Sequence, residues 1–313
     1  MRAIVLNEFG PVENLHIKEV AIPVVAPNEV LIKVKAISIN PVDVKTRAGK
    51  GIAGRFKDQL PLTLGWDVSG TVEAIGSAVA NLKVGDDVFG MVNFPGHAKG
   101  YAEYVVSPAD QLAIKPATIS HEVAAASTLA ALTAWQGLTQ HYRIQKGQRV
   151  FIHAAAGGVG HFAIQIAKHF GAYVVGSSSA VNKDFVLAVG ADEHFDYQTR
   201  KLEDLPQDID LVWDAIGGDN IDRSLSMIKK GGTIISIPSG LREGVADKAS
   251  AQGIHGFFFM VKSSGDDMKS IAAMLEQKSL RAHVSKVFPF ERMSDAHTHL
   301  ETGRTVGKVV VRL

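Results

Sequence analysis

The stretch IHAAAGGVGH, Ile152 to His161, decides how the rest of the chain is read. Upstream, RVFIHA is an apolar run short enough for a buried strand. Downstream, GVGHFAIQIAKHFG places Val159, Phe162, Ala163, Ile166, Ala167 and Phe170 on one helical face. Strand, tight turn and helix in immediate succession form the corner at which many α/β sheets bind a dinucleotide. Gly157 lets the backbone approach a pyrophosphate, and Gly160 lets helix and strand pack closely. The helix N-terminus adds free N–H groups and the positive end of its dipole. The usual fingerprint is G-x-G-x-x-G, but here the first glycine slot holds Ala155. That change costs little where the backbone keeps a negative φ. Ala156, Gly157, Gly158, Val159 and Gly160 are therefore expected to cradle phosphates. A plain strand–turn–helix corner is the competing reading.

The alternation continues beyond this corner. AYVVGS reads as a strand, VNKDFVLAVG as a helix and EHFDY as a short strand. DLVWDAIG, NIDRSLSMIKKGG and TIISIP repeat strand, helix, strand, and IHGFFFMV closes the series. Such alternation predicts a parallel sheet covered by helices on both faces. The coenzyme choice sits at the end of YVVGS. An NAD site places Asp or Glu about 20 residues beyond the loop, on the ribose 2′-OH. Here Ser177, Ser178 and Ser179 end the strand, Lys183 opens the next helix, and no acid appears before Asp184. Hydroxyls and a cation suit a 2′-phosphate, and Tyr197 offers another donor. NADPH is expected. An ordinary solvated lysine is the alternative for Lys183.

The first third has a different texture. In EVLIKVKAISIN, Val30, Ile32, Val34 and Ala36 point one way and Lys33 and Lys35 the other. VSGTVEAIG and VGDDVFGMV are short strands broken by glycines, with Gly85-Asp86 as a turn, so a partly closed β-barrel is expected. Near Ser120, SHEVAAASTLAALTAWQGL becomes one helical run with Ser120 as its N-cap. After IHGFFFMV come a helix (SGDDMKSIAAMLEQKSL), an extended AHVSKVFPF, a helix (ERMSDAHTHLETG) and the apolar strand GKVVVRL, which needs the first sheet to join. The expected domains are 1–121, 122–261 and a return to the first over 262–313.

Composition bounds the function. The 313 residues are 46% hydrophobic and 21% charged, enough for two cores. The formal net charge of +1 gives no reason to expect nucleic acid or an acidic surface as a partner. There is no cysteine, so disulfides and thiolate zinc sites are excluded. No apolar run is long enough to span a bilayer, and MRAIVLNEFGPVENL lacks the apolar core of a signal peptide. A cytoplasmic protein is expected.

Several stretches in order resemble the medium-chain dehydrogenase/reductase family, and within it the zinc-independent quinone oxidoreductase branch. They are SINPVDVKTRAG, LGWDVSGTVEAIG, VGDDVFG, GYAEYVV, AAASTLAALTAW, HAAAGGVG, GAD, WDAIGG, GGTIISI and GRTVGKVVV, over nearly the whole chain. The resemblance implies an α/β protein with a GroES-like β-barrel catalytic domain and a doubly wound Rossmann cofactor domain. It also implies that A-x-x-G-G-V-G is the branch's own loop, which AAAGGVG fits. Zinc-dependent relatives bind their catalytic metal at positions that fall here on Asn40, Trp66 and Leu129. None of these is a first-choice zinc ligand, and no metal is expected.

Without a Lewis acid the easier reaction is conjugate reduction, in which the developing enolate or hydroquinone charge needs only hydrogen-bond donors and a proton. The expected function is NADPH-dependent reduction of a quinone or an α,β-unsaturated carbonyl. An enoyl-thioester reductase and a non-catalytic NADPH sensor are the alternatives. The resemblance puts Asn40 near the nicotinamide and Thr133 on its ribose or carboxamide. Ile216 and Gly217 fall on the adenosine side, and Ile237, Phe258 and Phe259 on the nicotinamide face. Lys308 lies close to where the branch often has a cation. Related quinone reductases often carry Tyr near Lys45, so Lys45 or water is the candidate proton source. Trp66 either shapes the substrate pocket or packs. Asp43 and Arg47 are expected as structural partners. HGFFFMV, as a bare edge strand, predicts a homodimer.

Overall fold

The computed structural model describes residues 1–238 and 244–313, which form two compact units. One comprises Met1–Leu132 with Lys262–Leu313, the other Thr133–Val261.

The first unit is built on the long strand Glu29–Ile39. Asp67–Ile75 pairs antiparallel along one edge of it. Tyr104–Pro108 and Lys308–Arg312 share the other edge, pairing with Glu29–Lys33 and Ala36–Ile39. The C-terminal strand thus joins the first sheet, as its apolar run requires. Val284–Pro289, Asp87–Met91 and Ala113–Ile114 complete seven strands. Register shifts between Leu31/Ile32 and Val34/Ala36 bend the central strand. At Gly70 a Cβ would come within 2.2 Å of the Lys33 carbonyl, so only glycine lets the two backbones meet there. Arg2–Leu6 and Leu15–Glu19 form a separate two-stranded sheet.

The domain boundary expected at 121/122 falls instead between Leu132 and Thr133. The helix His121–Ala126 packs on Glu29–Ile39, Asp67–Ile75 and Lys308–Arg312, with Ala125 and Ala126 buried against Ala36 and Val310. Its apolar face therefore belongs to the first sheet. The expected single helix is also two, His121–Ala126 and Leu129–Trp135. Ser120 caps the first, accepting from the Val123 N–H at 3.3 Å. The break comes from Ser127 and Thr128, whose hydroxyls donate to the Val123 and Ala125 carbonyls, each at 2.8 Å. The Leu129 N–H donates to Asp67.

The second unit is a six-stranded, wholly parallel sheet. Across it the strands run Glu193–Asp196, Tyr173–Ser178, Arg149–Ile152, Ile209–Asp214, Ile228–Ser236, His255–Phe258. In chain order that is 3-2-1-4-5-6, the Rossmann order, with its switch point between Arg149–Ile152 and Ile209–Asp214. Every residue of the central strand IDLVWD is buried, as a strand covered on both faces must be. The helix expected through KKGG stops at Leu225, and the strand starts at Ile228. Lys229 pairs with Asp210 on the neighbouring strand, and Gly231 takes a left-handed φ of 74°. Among the described residues no helix is long and apolar enough to cross a membrane.

Candidate active site

The glycine corner forms as its sequence predicts, and its left-handed residue is Ala154, at φ 48°. Ala155 is buried and donates its N–H to the Ser177 carbonyl at 2.9 Å, so its methyl group costs nothing. The turn closes through the Gly157 N–H on the Ala154 carbonyl, at 2.8 Å. Gly160 opens the helix Gly160–His169, where a Cβ would lie 2.2 Å from the Ala154 oxygen and 2.8 Å from the Ala155 Cα. This is the glycine whose absence the packing would not tolerate. A Cβ on Gly157 would meet the same oxygen at 3.1 Å, a far milder contact. Buried His161 adds a support that the sequence reading missed: its Nδ1–H donates to the Gly157 carbonyl at 2.9 Å.

The sequence-predicted cofactor residues of this unit gather at the carboxyl ends of the parallel strands, where such sheets bind ligands. Ser177 and Ser178 end Tyr173–Ser178 and are buried. Lys183 is exposed at the start of the Lys183–Ala188 helix, and Tyr197 is exposed just beyond Glu193–Asp196. Ile216 and Gly217 follow Ile209–Asp214, Ile237 follows Ile228–Ser236, and Phe258 ends His255–Phe258. Phe259 is turned into the interior, its ring 4.6 Å from His141 and 6.1 Å from Trp213, so only its backbone remains for a ligand. Thr133 is buried in the helix Leu129–Trp135.

Two supporting residues went unread. Asp214 is fully buried and accepts from the Ile216 and Gly217 N–H groups, Asn220 Nδ2 and Ser236 Oγ, all within 3.1 Å. It folds the turn in which Gly217 and Gly218 take φ of 78° and 61°. His153 lies beside Ser224 Oγ, 2.8 Å from its Nε2. Ser224 donates its own proton to the Asn220 carbonyl, so His153 donates from Nε2–H. Burial lowers the imidazole to about 4 and keeps it neutral.

The first unit holds a buried polar cluster around Asn40. This residue ends the long strand and caps the helix Pro41–Arg47, its N–H donating to Asp43 Oδ2 at 2.7 Å. Its amide is held at both ends. Nδ2 donates to Asp67 Oδ2 at 2.7 Å, and Oδ1 accepts from Lys308 Nζ. Lys308 also lies 3.7 Å from Asp67 and donates to the Ile39 carbonyl. Burial pushes Asp67 up and Lys308 down, each toward neutrality, and their mutual attraction opposes it. The partners decide for the ion pair: both Asp67 oxygens face N–H donors, with Leu129 N at 3.0 Å on Oδ1. Asp67 was missed because nothing in GWDVSG marks its carboxylate as buried.

Asp43 is also fully buried, and desolvation with the nearby Asp67 charge pushes it up to about 7. Arg47 bonds the Gly10 carbonyl and Glu301, tying two helices together as a structural residue. The other two sequence candidates do not join the cluster. Lys45 is exposed on the same short helix. Trp66 is buried, donates from its indole N–H to the Gly96 carbonyl at 2.7 Å, and meets Phe94 edge-on. It packs the 93–97 loop. Among the described residues no group of three or more His, Cys, Asp or Glu is placed to hold a metal ion.

Comparison with known proteins agrees with both units. Residues 26–117 match the family described as alcohol dehydrogenase GroES-like domain, and residues 189–311 that described as zinc-binding dehydrogenase. An Arabidopsis thaliana relative, NADPH-dependent alkenal/one oxidoreductase, chloroplastic, is 36% identical over 99% of this chain and 79% of its own length. The solved quinone oxidoreductase from Coxiella burnetii is 36% identical, with a TM-score of 0.95 over 100% of this chain and 99% of that one. The Escherichia coli quinone oxidoreductase complexed with NADPH is 27% identical, with a TM-score of 0.88 over the whole of both chains. The chain belongs to the medium-chain dehydrogenase/reductase family and is a quinone oxidoreductase-like member of it.

Proposed function

We propose that this protein is an NADPH-dependent reductase that transfers hydride to a quinone or an α,β-unsaturated carbonyl and does so without zinc. The observation that carries the reading is the clamp on Asn40. Where zinc-dependent relatives place ligands, this chain has an amide held between Asp67 and Lys308, a buried indole and an aliphatic side chain at Leu129. That donor set does not fit zinc, and a buried ammonium already supplies the local positive charge.

The residues do fit NADPH. The Gly157 N–H is spent on Ala154, so Gly157 lets a diphosphate approach while Ala156, Gly158, Val159 and Gly160 offer it backbone N–H groups, and Ser177, Ser178, Lys183 and Tyr197 receive the 2′-phosphate. Ile216 and Gly217 border the adenosine. Thr133, Ile237, Phe258 and Phe259 are assigned to the nicotinamide end. When bound, NADPH supplies the hydride. Asn40 spends one amide hydrogen on Asp67, and the other is the donor we assign to the oxygen on which negative charge develops. Lys308, bonded to the amide oxygen, polarises that donor. Lys45 or water delivers the proton. The relatives' names support the substrate class: one is an NADPH-dependent alkenal/one oxidoreductase, another a quinone oxidoreductase.

Consumption of NADPH with a panel of quinones, enones and 2-alkenals tests the reading. Turnover with at least one of them is expected. Coenzyme binding with no turnover across the panel would favour a sensor. Lys45→Met separates the two proton sources, since only a lysine donor makes it slow.

We also infer a homodimer. The strand His255–Phe258 is a sheet edge whose last three residues are half-buried, and pairing it across a two-fold would cover it. Light scattering at the monomer mass would overturn this. A cytoplasmic location, free of any need for disulfides, is proposed with it and is tested by fractionation.

A further inference from the structure

Ser178 Oγ has two partners. The Ser179 carbonyl is 3.1 Å away, and His194 Nε2 is 2.9 Å away. A hydroxyl has one proton to give. If it goes to the imidazole, His194 is the Nδ1–H tautomer and Ser178 turns a lone pair toward anything that approaches. If it goes to a carbonyl, His194 carries a proton on Nε2 and donates to Ser178. Only in the second arrangement can Ser178 redirect its proton to an arriving anion while keeping the His194 bond.

We propose that His194 is the positioning residue for coenzyme discrimination, donating from Nε2 to Ser178 Oγ so that the Ser178 proton turns to the 2′-phosphate of NADPH. This rests on the NADPH reading above and assigns that site a residue outside the serine and lysine set.

The surroundings give the arrangement a pH dependence. His194 lies on Glu193–Asp196, which pairs in parallel with Tyr173–Ser178. The charges facing it are Asp196 on its own strand, Lys183 from the preceding helix and Arg200 beyond the strand. Arg200 is held by Glu193 at 3.1 Å, and Asp196 folds its own turn by accepting from the Gln198 N–H and Thr199 Oγ1. Burial, with Lys183 and Arg200, holds His194 below the ordinary imidazole range, while Asp196 and a hydrogen bond with the Ser178 backbone pull the other way. A phosphate beside Ser178 favours the imidazolium, in which Nε2 always carries a proton. Binding a 2′-phosphate therefore takes up a proton. The gain is full at low pH and is lost as pH rises through the value His194 has in the complex. NADH has no such phosphate and no such gain.

The test is fluorescence titration of the full chain with NADPH and with NADH from about pH 6.5 to about pH 8.5. That range lies above the second phosphate pKa of about 6. The wild-type NADPH-over-NADH preference is expected to fall as pH rises. His194→Ala should cut it about tenfold at the low end, Ser178→Ala by a similar factor, and the double variant by no more than either. His194→Gln, whose amide donates but does not titrate, should keep the preference and lose its pH dependence. If His194→Ala keeps both preference and slope while Lys183→Ala loses the preference, the proposal is wrong and the NADPH site stands. If Lys183→Ala and Ser178→Ala also leave the preference intact, the site reading itself fails.

Discussion

Asn40 alone would be a poor guide to chemistry, since an Asn before a Pro also shapes turns. Its meaning comes from Asp67 and Lys308, which come from strands far apart in sequence and fix which end of the amide is oxygen and which is nitrogen. The two roles, stability and positioning, separate by mutation. Lys308→Met leaves the Asp67 carboxylate buried without its cation and should cost about 3–5 kcal/mol of unfolding free energy in urea titrations. Adding Asp67→Asn removes the orphan charge and should recover much of that loss. Turnover should not recover: kcat stays at least about tenfold down, because the Asn40 amide has then lost both the ammonium on its oxygen and the carboxylate on its nitrogen. A double variant that regains both stability and kcat would show that the ion pair only holds the sheet. At this scale the sequence was partly legible. Asn40 and Lys308 were reached by resemblance, but the carboxylate joining them opens a strand of mixed polarity, DVSGTVEAI, and carries no local mark.

At the level of elements, the glycine corner was read correctly because its constraints are local. Strand length, turn residues and helix periodicity all lie within twenty residues of one another. The geometry sharpens which glycine matters. Gly160→Ala would drive a Cβ into the Ala154 carbonyl and part the helix from the strand, so thermal melts should show a lowered Tm despite alanine's better helix propensity. NADPH binding should fall with it. Ala154→Gly acts the other way: it removes a methyl group from a left-handed residue and should stabilise by about 1 kcal/mol. If Gly160→Ala melts like wild type and binds NADPH normally, the close-packing role fails. The misread elements share a cause. SHEVAAASTLAALTAW is helical by its apolar period, yet Ser127 and Thr128 turn their hydroxyls back onto the preceding carbonyls, and Asp67, some sixty residues earlier, takes the Leu129 N–H at the break. The unit boundary moved for the same reason, because Ala125 and Ala126 find their partners on strands from both ends of the chain.

For the whole molecule, three buried groups weigh on acid stability: Asp43, which the sequence named only as a structural partner, and two histidines that it could not single out from twelve. In the second unit, burial holds His153 at about 4. In the first, burial with Arg47 holds His297 at about 3, while desolvation and Asp67 lift Asp43 to about 7. A histidine lowered on folding binds its proton more readily when unfolded, so each stabilises the fold above its unfolded value of about 6.5 and loses that contribution as pH falls. An acid raised on folding behaves oppositely, and its contribution is lost as pH rises from about 4 toward 7. Between those limits Asp43 and His297 offset each other within the first unit, leaving His153 uncompensated in the second. Wild-type protein should therefore lose unfolding free energy between about pH 7 and pH 4.5, with His153 supplying about 2 kcal/mol of the loss. His153→Gln, which keeps a donor for Ser224 but cannot titrate, should start less stable at neutral pH and show a pH dependence shallower by that amount. Urea titrations at the two pH values measure it directly, and an unchanged dependence would mean that His153 is already charged in the fold.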